Sequence, residues 1–324
     1  MPAVTAGAAR PRLFAFRSSL DVALGVVLSC FFVESIIIEA PVVATNPPAT
    51  VYPTIKESWA FLGWYLLLSL LIGLPILLVG EKMLEMPRPV VLFLGVSAAN
   101  CSVLGFLRWR NKTRWPGINL HGQVPGWLLL ALPVLVLSAD MVLTLVHLLH
   151  LPTFSSGETY RELMKVPVVG FLMLCIVAPV MEELLLRGVV LQGLLRNFPD
   201  RPWIAIGQSA LIFGIMHLNP PQSLATFGLG LLMGWLYFRT RSLWLCMGVH
   251  FLNNFFAFNA MLHQKEGTAT DDVVAAFGSP WAYAAVVVLS ALVLFCLLWM
   301  VQRTTSSSPG QASTQPDALL PEGI

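Results

Sequence analysis

Nine apolar segments of membrane-crossing scale recur along the chain: Leu20 to Ala40, Trp59 to Gly80, Val90 to Leu107, Trp127 to His150, Val166 to Leu195, Pro202 to Leu218, Gln222 to Phe238, Leu243 to Met261 and Ser279 to Val301. A hydrocarbon core about 30 Å thick needs roughly 20 helical residues to cross it. With 56% hydrophobic and 11% charged residues, the chain falls far below the ~25% charge of a soluble domain. The expected fold is therefore an all-α, polytopic transmembrane helix bundle with its active-site cavity inside the membrane. The formal net charge is only +2, with basic residues scattered through short loops, so nucleic acid is not an expected partner. The five cysteines lie in apolar segments without paired spacing and read as packing residues.

The first segment fits least well, because Asp21, Glu34 and Glu39 interrupt it. Arg10, Arg12 and Arg17 precede it and Val42-Val43-Ala44 would suit a signal peptidase, yet so acidic a run makes a poor signal core and is read as uncleaved. If all nine segments crossed, the basic N-terminus would oppose Arg108, Arg110, Lys112, Arg114, Arg196, Arg201, Arg239, Arg241 and Arg303, although basic flanks favour one side, the cytoplasm. One incomplete crossing among the first three segments removes the conflict and leaves about eight spans with both ends cytoplasmic. Residues 1–18 then form a basic N-terminal segment, 19–301 the transmembrane domain and 302–324 a Ser-, Pro- and Gln-rich disordered tail. Ala- and Leu-rich loops and a compact length suggest a bacterial inner membrane.

Within the fifth segment, Glu182, Glu183 and Arg187 stand where insertion of each charge costs roughly 2.5–3.5 kcal/mol, which marks a functional site by default. Glu183 and Arg187, four residues apart, share a helical face and can pair, while Glu182 points about 100° away. Pro179 removes a backbone donor just upstream. Two later segments carry Phe213 with His217 and His250 with Asn254, each pair at the same spacing. Glu182 suits a general base, His217 can orient the same water, and His250 and Asn254 can donate to the oxyanion of an attacked amide. Alternatively, Glu182, His217 and His250 would bind zinc with one position open to water. Taken singly, each feature has a plainer reading: Glu183 with Arg187 as a structural ion pair, His217 as a helix-end residue bonded to a carbonyl, and Asn254 or Asn253 as interhelical glue. Asp140 and His147, seven apart, share a face and could line a cavity; Glu34 could reach it too, whereas His121 and His263 read as solvated loop residues.

The runs Glu182-Glu183-Leu184-Leu185-Leu186-Arg187, Phe213-Gly214-Ile215-Met216-His217 and His250-Phe251-Leu252-Asn253-Asn254 match EExxxR, FxxxH and HxxxN, in order on separate segments. In these motifs the chain resembles the CPBP intramembrane protease family, which includes type II CAAX prenyl endopeptidases and Abi-type proteins. The resemblance covers about residues 166–261. It implies an intramembrane endopeptidase acting on a membrane-associated, lipidated or C-terminally anchored protein or peptide, with Glu182 and His217 activating water, His250 and Asn254 stabilising the oxyanion, and Glu183, Arg187 and Phe213 in support. No cofactor is favoured, because the chain has no HExxH pair; a zinc-dependent form of the same protease and a non-catalytic maturation or immunity factor are the rival readings.

Overall fold

The computed structural model describes residues 50–118, 120–154, 157–263 and 274–305. The segment Leu20 to Ala40, with Glu34 and Cys30, the basic N-terminus and the tail after residue 305 lie outside the described residues. The other eight apolar segments are all helical, in chain order α1 (Ile55–Lys82), α2 (Arg88–Arg110), α3 (Gly126–Leu149), α5 (Pro167–Asn197), α6 (Pro202–Met216), α7 (Pro220–Thr240), α8 (Leu243–His263) and α9 (Pro280–Thr304). Six of these are long and apolar enough to cross a membrane. The exceptions are α6, which is short, and α7, whose first turns carry Gln222, Ser223 and Thr226. Proline stands at the N-terminal turn of α5, α6, α7 and α9, where its missing N–H costs nothing. The loop expected between Leu151 and Lys165 contains a short amphipathic helix, α4 (Gly157–Met164). At 8 residues it is too short to register as an apolar span.

Polarity is inverted relative to a soluble protein. Leu66, Leu67, Leu70 and Leu71 on α1, Leu130 and Val134 on α3, and Leu289, Leu292 and Phe295 on α9 face outward, while Glu183, Arg187 and His250 are buried. Lipid tails solvate the former, and the bundle hides the latter; the protein is integral to a membrane. Helices α6 and α7 form an antiparallel hairpin, with α8 packed on α5 and α3, α9 on α3, and α2 on α1. Gly214 and Gly230 permit the hairpin's close approach, since a Cβ at the first would lie 2.6 Å from Ser223 O and at the second 3.0 Å from Ala210 Cα.

Successive crossings bring Arg108, Arg110, Arg114, Arg196, Arg201, Arg239, Arg241 and Arg303 to one end of the bundle. The same end is laced by hydrogen bonds. The Asn197 side chain accepts from Val51 N at 3.1 Å and donates to Val51 O at 2.7 Å and Pro53 O at 3.0 Å. Arg114 grips both oxygens of Glu57 at 2.7 and 3.0 Å, and this bond holds its guanidinium charged above the ordinary arginine range. Arg239 reaches Gln302 O at 2.7 Å and the Thr305 carbonyl. Gly193 lets the extended segment 51–53 lie against α5, because a Cβ there would collide with Tyr52 O.

Asn197→Ala removes three of these bonds and leaves polar backbone atoms unpaired. It should lower stability by about 1–3 kcal/mol, read as a reduced melting temperature in detergent.

Candidate active site

The local winding of α5 sets the site. Two stretches, Leu172–Val177 and Leu184–Leu191, are π-wound, on either side of the α-helical turn Ala178–Glu183; such insertions concentrate at functional sites. In the π register each carbonyl pairs with the N–H five residues on, as Met173 O does with Ala178 N. The next pair would be Leu174 O with residue 179, which is proline and has no N–H. That carbonyl accepts instead from Asn254 Nδ2 on α8, at 2.8 Å. Pro179 therefore acts as expected, by removing a donor, and the structure shows which group replaces it. In the second stretch, Leu186 O accepts from Ser209 Oγ of α6 at 3.2 Å.

Glu183 is the hub. Its Oε1 accepts from Arg187 Nη1 at 2.8 Å and from His250 Nδ1 at 2.9 Å, with both charged side chains wholly inaccessible. Because a carboxylate can only accept, Nδ1 is the nitrogen of His250 that carries hydrogen. Arg187 also donates to Gly230 O at 3.3 Å and lies 4.8 Å above the Phe213 ring. Phe213 turns ring edges toward both histidines, with centroids 5.0 Å from His217 and 5.5 Å from His250. Glu183 Oε2 and Arg187 Nε are buried without a protein partner.

Glu182 lies differently. Its side chain keeps 18% exposure, and its Oε2 stands 3.8 Å from His250 Nε2, too far for a hydrogen bond yet close enough for one bridging oxygen. His217 caps the C-terminal end of α6, and its Nδ1 lies 2.9 Å from Phe213 O. That ring nitrogen must donate to the carbonyl, which leaves Nε2 available. The following residue, Leu218, has φ 53°, a left-handed conformation costing about 1–2 kcal/mol. It tightens the turn into α7 immediately beside His217.

The structure thus joins Glu182, Glu183, Arg187, Phe213 and His250 through direct contacts and ties His217 to them through Phe213. One amide hydrogen of Asn254 goes to Leu174 O, which leaves the other unspent. Asn253, the expected interhelical residue, bridges Asn254 and Asp140 of α3. His147 stands exposed on the 3₁₀ stretch Thr144–Leu149 that ends α3, while Asp140 is half-buried. His121 and His263 are exposed, as expected. Among the described residues, no three His, Cys, Asp or Glu side chains form a group able to hold a metal ion; His250 gives Nδ1 to Glu183 and His217 gives Nδ1 to Phe213 O. One neighbour escaped the sequence reading: Tyr65 of α1 lies within electrostatic reach of Glu182. Its signal was the one phenolic hydroxyl in the apolar span Trp59 to Gly80.

Residues 164–256 match the family model of Rce1-like proteins, the type II CAAX prenyl endopeptidases. No curated protein and no solved structure matches the chain.

Arg187→Met should remove the counter-charge of a fully buried carboxylate and destabilise by about 3–5 kcal/mol, seen as loss of the monodisperse peak in gel filtration. The double change Glu183→Gln with Arg187→Met removes both charges, and recovery of that peak is the expected outcome.

Proposed function

We propose, from the match of residues 164–256 to the Rce1-like family model and the apolar helices around them, that this chain is an endopeptidase that hydrolyses a peptide bond of a membrane-associated or C-terminally anchored substrate with Glu182 as general base. The observation that carries this reading is the division of labour between adjacent glutamates. Glu183 is consumed by Arg187 and His250, whereas no hydrogen bond from a described residue reaches Glu182, which borders accessible space.

The chemistry follows from that division. Glu182 takes a proton from water as its oxygen attacks the amide carbonyl, and returns it to the leaving nitrogen as the tetrahedral intermediate collapses. His217, with Nδ1 committed to Phe213 O, offers Nε2 to the water's second hydrogen. His250 is fixed in rotation by Glu183 through Nδ1; once the ring has taken up a second proton from solvent before attack, its Nε2–H donates to the developing oxyanion, and the ring stays an imidazolium through the step. Glu183 and Arg187 hold that ring in place. Asn254 retains one amide hydrogen for the same oxyanion, while the other secures α5.

Glu182→Gln should lower turnover by about 100- to 10,000-fold with an unchanged melting temperature, since the amide keeps the shape but cannot accept the proton. The assay is cleavage of two vesicle-reconstituted reporters, one C-terminally prenylated and one anchored by a transmembrane helix. Wild-type protein that cuts neither reporter would refute the protease reading and favour a non-catalytic maturation or immunity factor.

Metal dependence is a separate test. Chelator-stripped protein should keep its activity and hold less than one zinc per chain; activity that is lost and returns specifically with zinc would make Glu182, His217 and His250 ligands.

A further inference from the structure

A half-buried polar chain runs from α3 to the π-wound part of α5. Asp140 of α3 faces Asn253 of α8, Asn253 meets Asn254, and Asn254 Nδ2 donates to Leu174 O at 2.8 Å. The last link sets the direction of all the others. Leu174 O can only accept, so Asn254 must point Nδ2 at it and its own Oδ1 at Asn253. Asn253 answers with Nδ2, at 2.8 Å. The Asn253 oxygen then lies 2.9 Å from Asp140 Oδ1, a contact between two acceptors unless the acid carries a proton.

Turning Asn253 over does not remove the mismatch. Its Nδ2 would then donate to Asp140 at 2.9 Å, but its oxygen would come to 2.8 Å from Asn254 Oδ1. The turned amide would also gain the Asn254 backbone N–H at 3.3 Å, a donor already used within α8. With Leu174 fixed as an acceptor, only a neutral Asp140 makes every side-chain contact in the chain a donor facing an acceptor.

The surroundings suit a neutral acid. No charged side chain of the described residues acts on Asp140. From α8 it meets Asn253, with His250 one turn away and engaged by Glu183; from α9, Tyr283 is bonded to Thr144 Oγ1 at 2.9 Å; from α7, Gly228 lies against Leu143.

We propose that Asp140, as the neutral acid, is a positioning residue: it donates to Asn253 and, through Asn253 and Asn254, holds the Leu174 carbonyl and so fixes the turn of α5 that presents Glu182 and Glu183. Ionised Asp140 demands a donor, turns Asn253 over and sets its oxygen against that of Asn254, which loosens the grip on Leu174. The effect on turnover rests on the protease reading above; the hydrogen-bond order does not.

Two measurements test it on the full-length protein in lipid vesicles. Infrared difference spectra of wild type against Asp140→Asn should show a protonated-carboxyl stretch at neutral pH that the variant lacks; a difference confined to carboxylate bands overturns the proposal. This reading needs no turnover, so it separates failure here from failure of the protease assignment. In the cleavage assay, Asp140→Asn, whose amide still donates to Asn253, should keep kcat at neutral pH and lose a fall in kcat that wild type shows as pH rises. Asp140→Ala should lower kcat roughly 10- to 100-fold with KM changed by less than about twofold. Asp140→Asn as impaired as Asp140→Ala, or Asp140→Ala as active as wild type, overturns the proposal.

Discussion

One carboxylate organises the protein. Glu183 sits where neither water nor lipid can solvate it, and its Oε1 is held from two directions by Arg187 and His250. An isolated charge there would be untenable, and a pair is tolerated only with good geometry and further hydrogen bonds. The arrangement meets that condition by drawing in three more helices: α8 supplies His250, α7 the Gly230 carbonyl, and α6 the Phe213 ring over the guanidinium. The requirement to satisfy one buried group therefore fixes how α5, α6, α7 and α8 meet. What remains beside that knot is Glu182, which no hydrogen bond from a described residue reaches.

The helices were legible because hydrocarbon thickness demands a length that composition reveals, and eight segments match helices within a few residues. The ion pair was legible because its partners lie one turn apart on one helix. What was not legible depended on winding. Sequence spacing assumes an α-helix, yet α5 is π-wound on both sides of its glutamates and α3 ends as a 3₁₀ helix. The second change leaves His147 exposed on a more tightly wound end of α3. The first exposes a carbonyl that captures Asn254, so a residue matched to a motif as an oxyanion donor is found doing structural work as well.

Long-range pairing was the other gap. Nothing in the sequence says whether His250 leans on Glu182 or Glu183, since both are acids on the same segment; the fold decides by placing Nδ1 at 2.9 Å from one and Nε2 at 3.8 Å from the other. Tyr65 went unnoticed for the same reason. Its proximity to Glu182 arises from the packing of α1 against the core, not from any local pattern.

The locality of the Glu183–Arg187 pair bears on biogenesis. Both members belong to one helix, so the segment can neutralise itself as it leaves the insertion machinery, before α6, α7 and α8 are present. Lateral entry into the bilayer then concerns a near-neutral rod with one unpaired acid. A pair split between two helices would have to enter as two separate charges and find its partner afterwards. His250, contributed by a helix synthesised later, joins at assembly, which makes the completion of the site coincide with the docking of α8.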